Sequence, residues 1–292
     1  MDSIGTILQI IVILLIVFFL VSALASALGH RRRQFDRVRT IRLIERQRGS
    51  RVITLIHRQE HLTILGIPLF RYIDVEDAEQ ILQAIRLTPR ETPIDLILHT
   101  PGGLTLPAQQ IAYALKDHPA KVTIMVPHYA MSGGTLIALA ADQIAMDRNA
   151  VLGAVDPQIG TAQQSWPAAS ILATVTLKDH NKLSDNTLIL ADVAQKAVRQ
   201  MREFVLFLLK DRLPADRARY AADFLTSGNW THDYPLTVDM LHQLGLPVEP
   251  NLPNEVYKLM RLYPQPAMGQ PAVDYIPIPY PRRRGRDNDR AR

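Results

Sequence analysis

Between residues 51 and 155 the chain alternates two hydrophobic rhythms. Short unbroken apolar runs, RVITLIH from 51, PIDLILHT from 93 and KVTIMVPHYAM from 121, read as strands buried on both faces. Between them VEDAEQILQAIR (75–86), LPAQQIAYALKDH (106–118) and GTLIALAAD (134–142) space their apolar positions as helices do. QIAMDRNAVLGAV (143–155) reads as one or two short strands. This alternation predicts an α/β fold with a largely parallel sheet. In such sheets function gathers at the carboxyl ends of strands. Two polar, glycine-rich stretches fall there: HTPGG (99–103) and MSGG (131–134).

Further on the rhythm changes. Residues 161–184 are less regular. A long amphipathic helix is expected over 186–212, with Leu190, Val193, Ala197, Met201, Phe204, Val205, Leu208 and Leu209 on one face. That face covers the sheet or meets another subunit, and covering the sheet is the simpler reading. A helix near 216–225, a turn at TSGNW, the segment THDYP and a helix over 237–244 stopped by Gly245 follow. From 264 onward proline and arginine dominate, which predicts a disordered tail over 264–292.

The amino terminus has a third pattern. Residues 4–28 carry no charge, and as a helix they would extend about 37 Å, enough to span the hydrocarbon layer. RRRQFDRVR follows from 31 and only Asp2 precedes, so the positive-inside rule puts a membrane-anchored body on the cytoplasmic side. The alternative, with an exported body, is a cleaved signal peptide, since Ala23-Leu24-Ala25 has the small-x-small form. The length of the run and the position of the basic charge favour a single-pass anchor. The expected organisation is an anchor at 1–30, a basic juxtamembrane segment at 31–50 and a folded domain at 51–263. The juxtamembrane segment reads either as a helix on anionic lipid or as a solvated flank.

Charge and composition narrow the function. The net charge is +5, yet 31–51 alone carries +7 and 282–292 carries +4, so the rest of the chain is acidic at −6. The basic character belongs to two flanks, and no aromatics interleave with it as a single-strand nucleic-acid binder requires. With no cysteine, thiolate nucleophiles and Cys-based metal sites are excluded. The histidines show no metal-ligand spacing, and no phosphate-binding glycine loop opens a helix, so neither metal nor cofactor is expected.

TPGG forces a tight exit from its strand. Gly103 either offers a free N–H to an oxyanion or an extended peptide, or simply makes the strand-to-helix turn. Ser132 is likewise either a helix cap or a nucleophile at the positive end of a helix, with the Gly133 N–H beside it. Consecutive parallel strands are usually neighbours, so the two loops would lie side by side. That supplies a nucleophile and oxyanion donors and leaves the base to be found.

The series strand–TPGG–helix–strand–MSGG–helix–GAVDPQIG resembles the Clp-class serine peptidases of the ClpP/crotonase superfamily, over about 51–248. That superfamily includes the Clp proteolytic subunit and the signal peptide peptidase A group. With the single anchor, MSGGTLIALAAD, GAVDPQ and WTHDYP, the chain most resembles the serine dehydrogenase proteinase family. The resemblance implies a ClpP/crotonase-like fold with repeated ββα units behind one transmembrane helix, a homo-oligomer, and hydrolysis of protein or peptide substrates. It makes Ser132 the nucleophile and Gly103 and Gly133 the oxyanion hole. Where Clp subunits carry a histidine in a His-Gln-Pro phrase, this chain has Asp156 in VDPQ. Where they carry the aspartate, it has Asp233 with His232 beside it. The resemblance thus implies that acid and base are exchanged: Ser132, Asp156, His232, with Asp233 as the alternative acid. The signal peptide peptidase group instead uses a lysine well downstream of the serine, which makes Lys178 and Lys182 alternative bases; His180 is a weaker one. The plainer readings are an Asx turn at Asp156, a structural His232 in the Trp230–Tyr234 turn, and exposed loop lysines. Two other functions are compatible with the fold: a catalytically silent membrane scaffold, and acyl-CoA chemistry, against which a serine beside two glycines argues.

Overall fold

A computed structural model describes residues 2–58, 62–64, 67–69, 72–160 and 164–263. The order of elements is α1 (Asp2–Arg48), β1 (Arg51–Ile56), β2 (Leu62–Ile64), β3 (Ile67–Leu69), α2 (Val75–Arg86), β4 (Ile94–His99), α3 (Thr105–Lys116), β5 (Val122–Val126), β6 (Tyr129–Ala130) and α4 (Gly133–Leu139). Then come β7 (Gln143–Met146), β8 (Val151–Leu152), β9 (Gln158–Gly160), β10 (Ser165–Pro167), α5 (Ala168–Leu177), α6 (Asp185–Leu209), α7 (Ala215–Thr226), α8 (Val238–Gln243), β11 (Val248–Glu249) and α9 (Asn254–Arg261).

The unbroken apolar runs became a parallel five-stranded sheet in the order β1-β4-β5-β7-β11. Every residue of β4 and β5 is buried, which is why neither run alternates. On one face Leu96, Leu98, Ile124 and Ile144 meet α2, α3 and α4. On the other, Val52, Ile97, Met125 and Ala145 meet Ile44 of α1 and Val256 and Leu259 of α9. The small strands β6 and β8 pair with each other beyond the main sheet, at its carboxyl edge.

Three features depart from the sequence expectations. First, 161–184 holds a helix, α5, whose run AASILATVTL has no polar face to mark it. Second, α6 does not lie on the sheet. Its second half buries Met201, Phe204, Val205, Leu208 and Leu209 over α4 and α7, and its first half pairs with α5, leaving Val193 41% exposed. Third, α9 was not anticipated, although Val256, Leu259 and Met260 have helical spacing.

The basic segment 31–50 is continuous with the apolar segment in α1, and its last turns are part of the folded body. Ile44 is fully buried. Arg48 grips the carboxylate of Asp95 through Nε at 2.5 Å and Nη2 at 3.0 Å, and the Ser50 hydroxyl donates to the same group at 2.5 Å. Asp95, the second residue of β4, is 2% exposed. Eleven residues earlier, Arg37 Nε donates to the Leu262 carbonyl at 2.9 Å and its guanidinium lies 3.9 Å from the centre of the Tyr263 ring. Tyr263 in turn touches Thr54, and its carbonyl accepts from Arg58, at the carboxyl end of β1. The docked part of α1 therefore runs antiparallel to β1 and β4. The expectation of a disordered tail at 264–292 lies outside the described residues.

Candidate active site

The two glycine-rich loops do lie side by side. Thr100 and Ala130 form an isolated bridge, with Met131 N donating to the Thr100 carbonyl at 3.0 Å. Leaving β4, the chain crosses the segment before α2: Ile73 N donates to Gly102 O at 2.8 Å and Leu104 N to Ile73 O at 2.9 Å. This crossing explains the glycine. A Cβ on Gly103 would fall 2.3 Å from both the N and the O of Ile73. Held this way, Gly103 N makes no hydrogen bond among the described residues, and neither does Gly133 N at the start of α4. A Cβ on Gly133 would sit 3.7 Å from Gly103 N, so the two free donors are close neighbours.

Ser132 lies between them at φ 51° and ψ −115°. Among the described residues it is the one non-glycine with positive φ. Its side chain makes no cap hydrogen bond to α4, so the helix-cap reading fails on geometry. The turn instead resembles the strained strand-to-helix elbow that lifts a nucleophile out of a sheet.

β8 organises the rest. It leads into Asp156, and Leu152 exchanges two backbone hydrogen bonds with Leu236 at 3.1 and 2.8 Å, pinning the segment that carries His232. The rings of Trp230 and Tyr234 stack at 4.2 Å around the intervening turn. Asp156 Oδ1 is 2.8 Å from His232 Nδ1, and Gln158 Nε2 donates to Asp156 Oδ2 at 2.6 Å. The carboxylate side chain is 1% exposed and the imidazole 37%. Gln158 Nε2 also approaches His232 Nδ1 at 3.4 Å. With the Nδ1 hydrogen directed at the carboxylate, two donors face each other there, so this approach adds no bond. Engaging Nδ1 leaves Nε2 as the imidazole nitrogen free for chemistry.

Ser132, Gly103, Gly133, Asp156 and His232 all line one cavity of about 390 Å³, with Tyr72, Leu104, Gln158 and Met201. Ser132 Oγ forms no hydrogen bond to His232 in this structure. Asp233 is exposed and outside the cavity. Lys178, which ends α5, and Lys182, in the turn His180–Lys182, are likewise exposed and do not line it. The side chain of His180 lies outside the described residues.

Sequence reasoning missed two supporting residues. Nothing in the sequence marks Gln158, since an amide next to a proline turn is common. Behind TPGG, buried His57 places Nε2 3.1 Å from Asp77 Oδ2 and Nδ1 2.9 Å from Thr100 Oγ1. Thr100 Oγ1 in turn accepts from Gly102 N at 3.2 Å. Since a carboxylate only accepts, Nε2 carries a hydrogen; Nδ1 and the Thr100 hydroxyl share the second bond, and that hydroxyl also lies within donating distance of the Gly102 carbonyl, at 3.3 Å. No spacing in the sequence links residues 57, 77 and 100.

A parallel α/β sheet that gathers a hydroxyl at a strained turn, a carboxylate-paired imidazole and two unused backbone donors on one cavity defines a protein of the serine-hydrolase class. The comparison with known proteins agrees in kind. The chain belongs to the family of ClpP-like SDH-type serine proteinases, which it matches over residues 1–290. It is 58% identical over 258 residues to uncharacterized protein MJ1495 of Methanocaldococcus jannaschii, covering 88% of this chain and 87% of that one. It is 49% identical over 285 residues to uncharacterized protein MJ0137 of the same organism, covering 98% of each. Among solved structures, a serine-to-alanine variant of the 1510-N membrane-bound stomatin-specific protease aligns at 21% identity and TM-score 0.44, covering 64% of this chain and 79% of that chain. ClpP1 from Listeria monocytogenes aligns at 13% identity and TM-score 0.43, covering 72% and 97%.

Proposed function

We propose that this protein is a membrane-anchored serine endopeptidase with Ser132 as nucleophile, His232 as base and Asp156 as acid. The observation that carries the reading is the 2.8 Å Asp156–His232 pair on the same cavity as a serine held at φ 51°. Ser132 Oγ attacks the peptide carbonyl and its proton passes to His232 Nε2. Asp156 holds Nδ1–H and offsets the charge that develops on the ring. The oxyanion forms against the N–H groups of Gly103 and Gly133. His232 then returns the proton to the leaving amine, and water cleaves the acyl-enzyme by the same route. The exposed positions of Lys178 and Lys182 favour this triad over a serine–lysine dyad.

The apolar half of α1 is the anchor. Its most apolar stretch has a mean hydropathy of 2.8 and no burial against the body, as suits a helix in lipid. The arginines that follow favour the cytoplasmic side for the body. Substrates are extended protein segments lying beside TPGG as an added strand, and the enzyme works as a homo-oligomer.

Purified detergent-solubilised protein, tested for casein cleavage and for labelling by a fluorophosphonate, decides the matter. Wild type is expected to label at Ser132. Ser132→Ala should lose both signals, and His232→Ala should fall by three to four orders of magnitude. Full activity in His232→Ala, with loss in Lys178→Ala or Lys182→Ala, would replace the triad by a dyad. Folded wild type that neither labels nor cleaves would leave the scaffold reading in its place.

A further inference from the structure

The direction of α1 fixes where the site stands relative to the bilayer. Arg37 is level with Tyr263, Thr54 and Arg58, at the carboxyl edge of the sheet. Arg48 is level with Asp95, at the amino edge. Glu45, near the same end, accepts from Val52 N at 3.2 Å, early in β1. The chain thus leaves the apolar segment, passes the carboxyl edge first and reaches the amino edge last. The carboxyl edge carries TPGG, MSGG and Asp156.

The heights follow from helix geometry. From Leu28, the last residue of the apolar run, to Arg37 the helix rises about 14 Å at about 1.5 Å per residue. The headgroup layer accounts for about 5–8 Å of that. Extended chain covers the same height in about four residues at about 3.3 Å each. The docked turns of α1 make this a fixed standoff. The Arg48–Asp95 clamp, the buried Ile44 and the Arg37–Tyr263 stack fix residues 37–48 to the body, and one continuous helix runs from there to the apolar segment.

We propose that the site is built for membrane-tethered substrates: the antiparallel docking of α1 turns the Ser132 edge of the sheet towards the bilayer, so that juxtamembrane segments of other membrane-embedded chains are cut within about ten residues of the lipid. This rests on the serine-peptidase reading and on the apolar half of α1 spanning the membrane. Soluble unfolded chains, which nothing holds at the lipid surface, are poorer substrates.

Two experiments test it on the full chain in lipid nanodiscs. The first needs no activity. The chain has no cysteine, so single thiols can be introduced for a fluorophore. Leu104→Cys places the probe at the carboxyl edge, and Arg90→Cys at the turn before β4. Nitroxide-headgroup lipid is expected to quench the first severalfold more than the second. Equal quenching, or stronger quenching at 90, overturns the orientation. The second uses a co-reconstituted single-span peptide with an unstructured tail of about 40 residues, its products read by mass spectrometry. Cuts should cluster within about ten residues of the span. Seven helix-forming residues inserted after Arg33, adding about 10 Å, should move the cuts outward by about three residues. Cuts spread evenly along the tail, or unmoved by the insertion, overturn the proposal. Fluorophosphonate labelling separates the two readings: a labelled enzyme that ignores the tethered tail sinks the substrate proposal alone, and a folded enzyme that does not label sinks the peptidase reading and the proposal with it.

Discussion

Thr100 stands where the two loops of the site meet. Its hydroxyl bridges Gly102 N and His57 Nδ1, and its main chain is bonded to the MSGG loop. The Asp77–His57–Thr100 array thus sets the pose of Gly102, and through it the direction in which Gly103 N–H points. Thr100→Val keeps the volume and removes the hydroxyl. It is expected to lower kcat by about 10- to 100-fold with KM little changed, and Thr100→Ser should restore most of the loss. Steady-state kinetics on a quenched peptide would show the split. Close by, His99 is 1% exposed, and neither ring nitrogen makes a hydrogen bond of good geometry among the described residues, the backbone of Tyr129 being a polar neighbour. Burial first, then the nearby Arg58 and His128, push its pKa down to about 3. The folded protein therefore holds a neutral imidazole at a pH where the unfolded chain, with a pKa near 6.5, takes up a proton. The stability this supports is complete above about pH 6.5 and falls as the pH drops towards 3, by about 1.4 kcal/mol per unit. Urea unfolding at pH 7 and pH 5 should differ by about 2 kcal/mol from this residue alone, and His99→Leu should flatten the difference.

Among the elements, α1 carries the least expected role. A basic run after an apolar one reads as a flank, and nothing local distinguishes Arg48, which closes on a buried carboxylate, from the arginines around it. Arg48→Ala would leave Asp95 buried with only the Ser50 hydroxyl, at a cost of about 3 kcal/mol in urea unfolding. Arg31→Ala, on the undocked part of the helix, should cost nothing measurable. The same contrast explains what was legible. The unbroken runs of β4 and β5 and the helical spacing of α2 and α3 are local signals, and they gave the sheet and both loops of the site. Asp156 and His232, 76 positions apart, were reachable only through resemblance; their meeting depends on the Leu152–Leu236 pairing. α5 was lost because a helix apolar all round has no period to detect. Lys178 and Lys182 were plausible by count along the chain, yet the β9–β10 hairpin and α5 carry them away from the cavity.

For the molecule as a whole, that apolar helix has a consequence. α5 contains no charged residue, but of its ten residues only Ala168 is buried, and Leu177 is 85% exposed. Ile189, at the adjoining end of α6, is 60% exposed. Helices apolar on every side are normally covered, and a second copy of this chain is the partner that the expected homo-oligomer supplies. Light scattering of the detergent-solubilised protein should give a mass well above 32.8 kDa for the polypeptide. The double variant Leu177→Glu, Ile189→Glu should bring it down to one chain per micelle. An unchanged mass would move the subunit interface elsewhere.

The backbone at Ser132 has an implication for descent as well as for chemistry. A side chain at φ 51° and ψ −115° costs about 1–3 kcal/mol that glycine would not incur. Ser132→Gly should therefore raise the urea midpoint while abolishing turnover, whereas Ser132→Ala should be equally inactive and gain nothing. A lineage that used this fold only to hold partners would be rewarded for the exchange at every generation. On the proposed function, a serine whose hydroxyl makes no cap and no hydrogen bond among the described residues is held in that conformation for what the hydroxyl does.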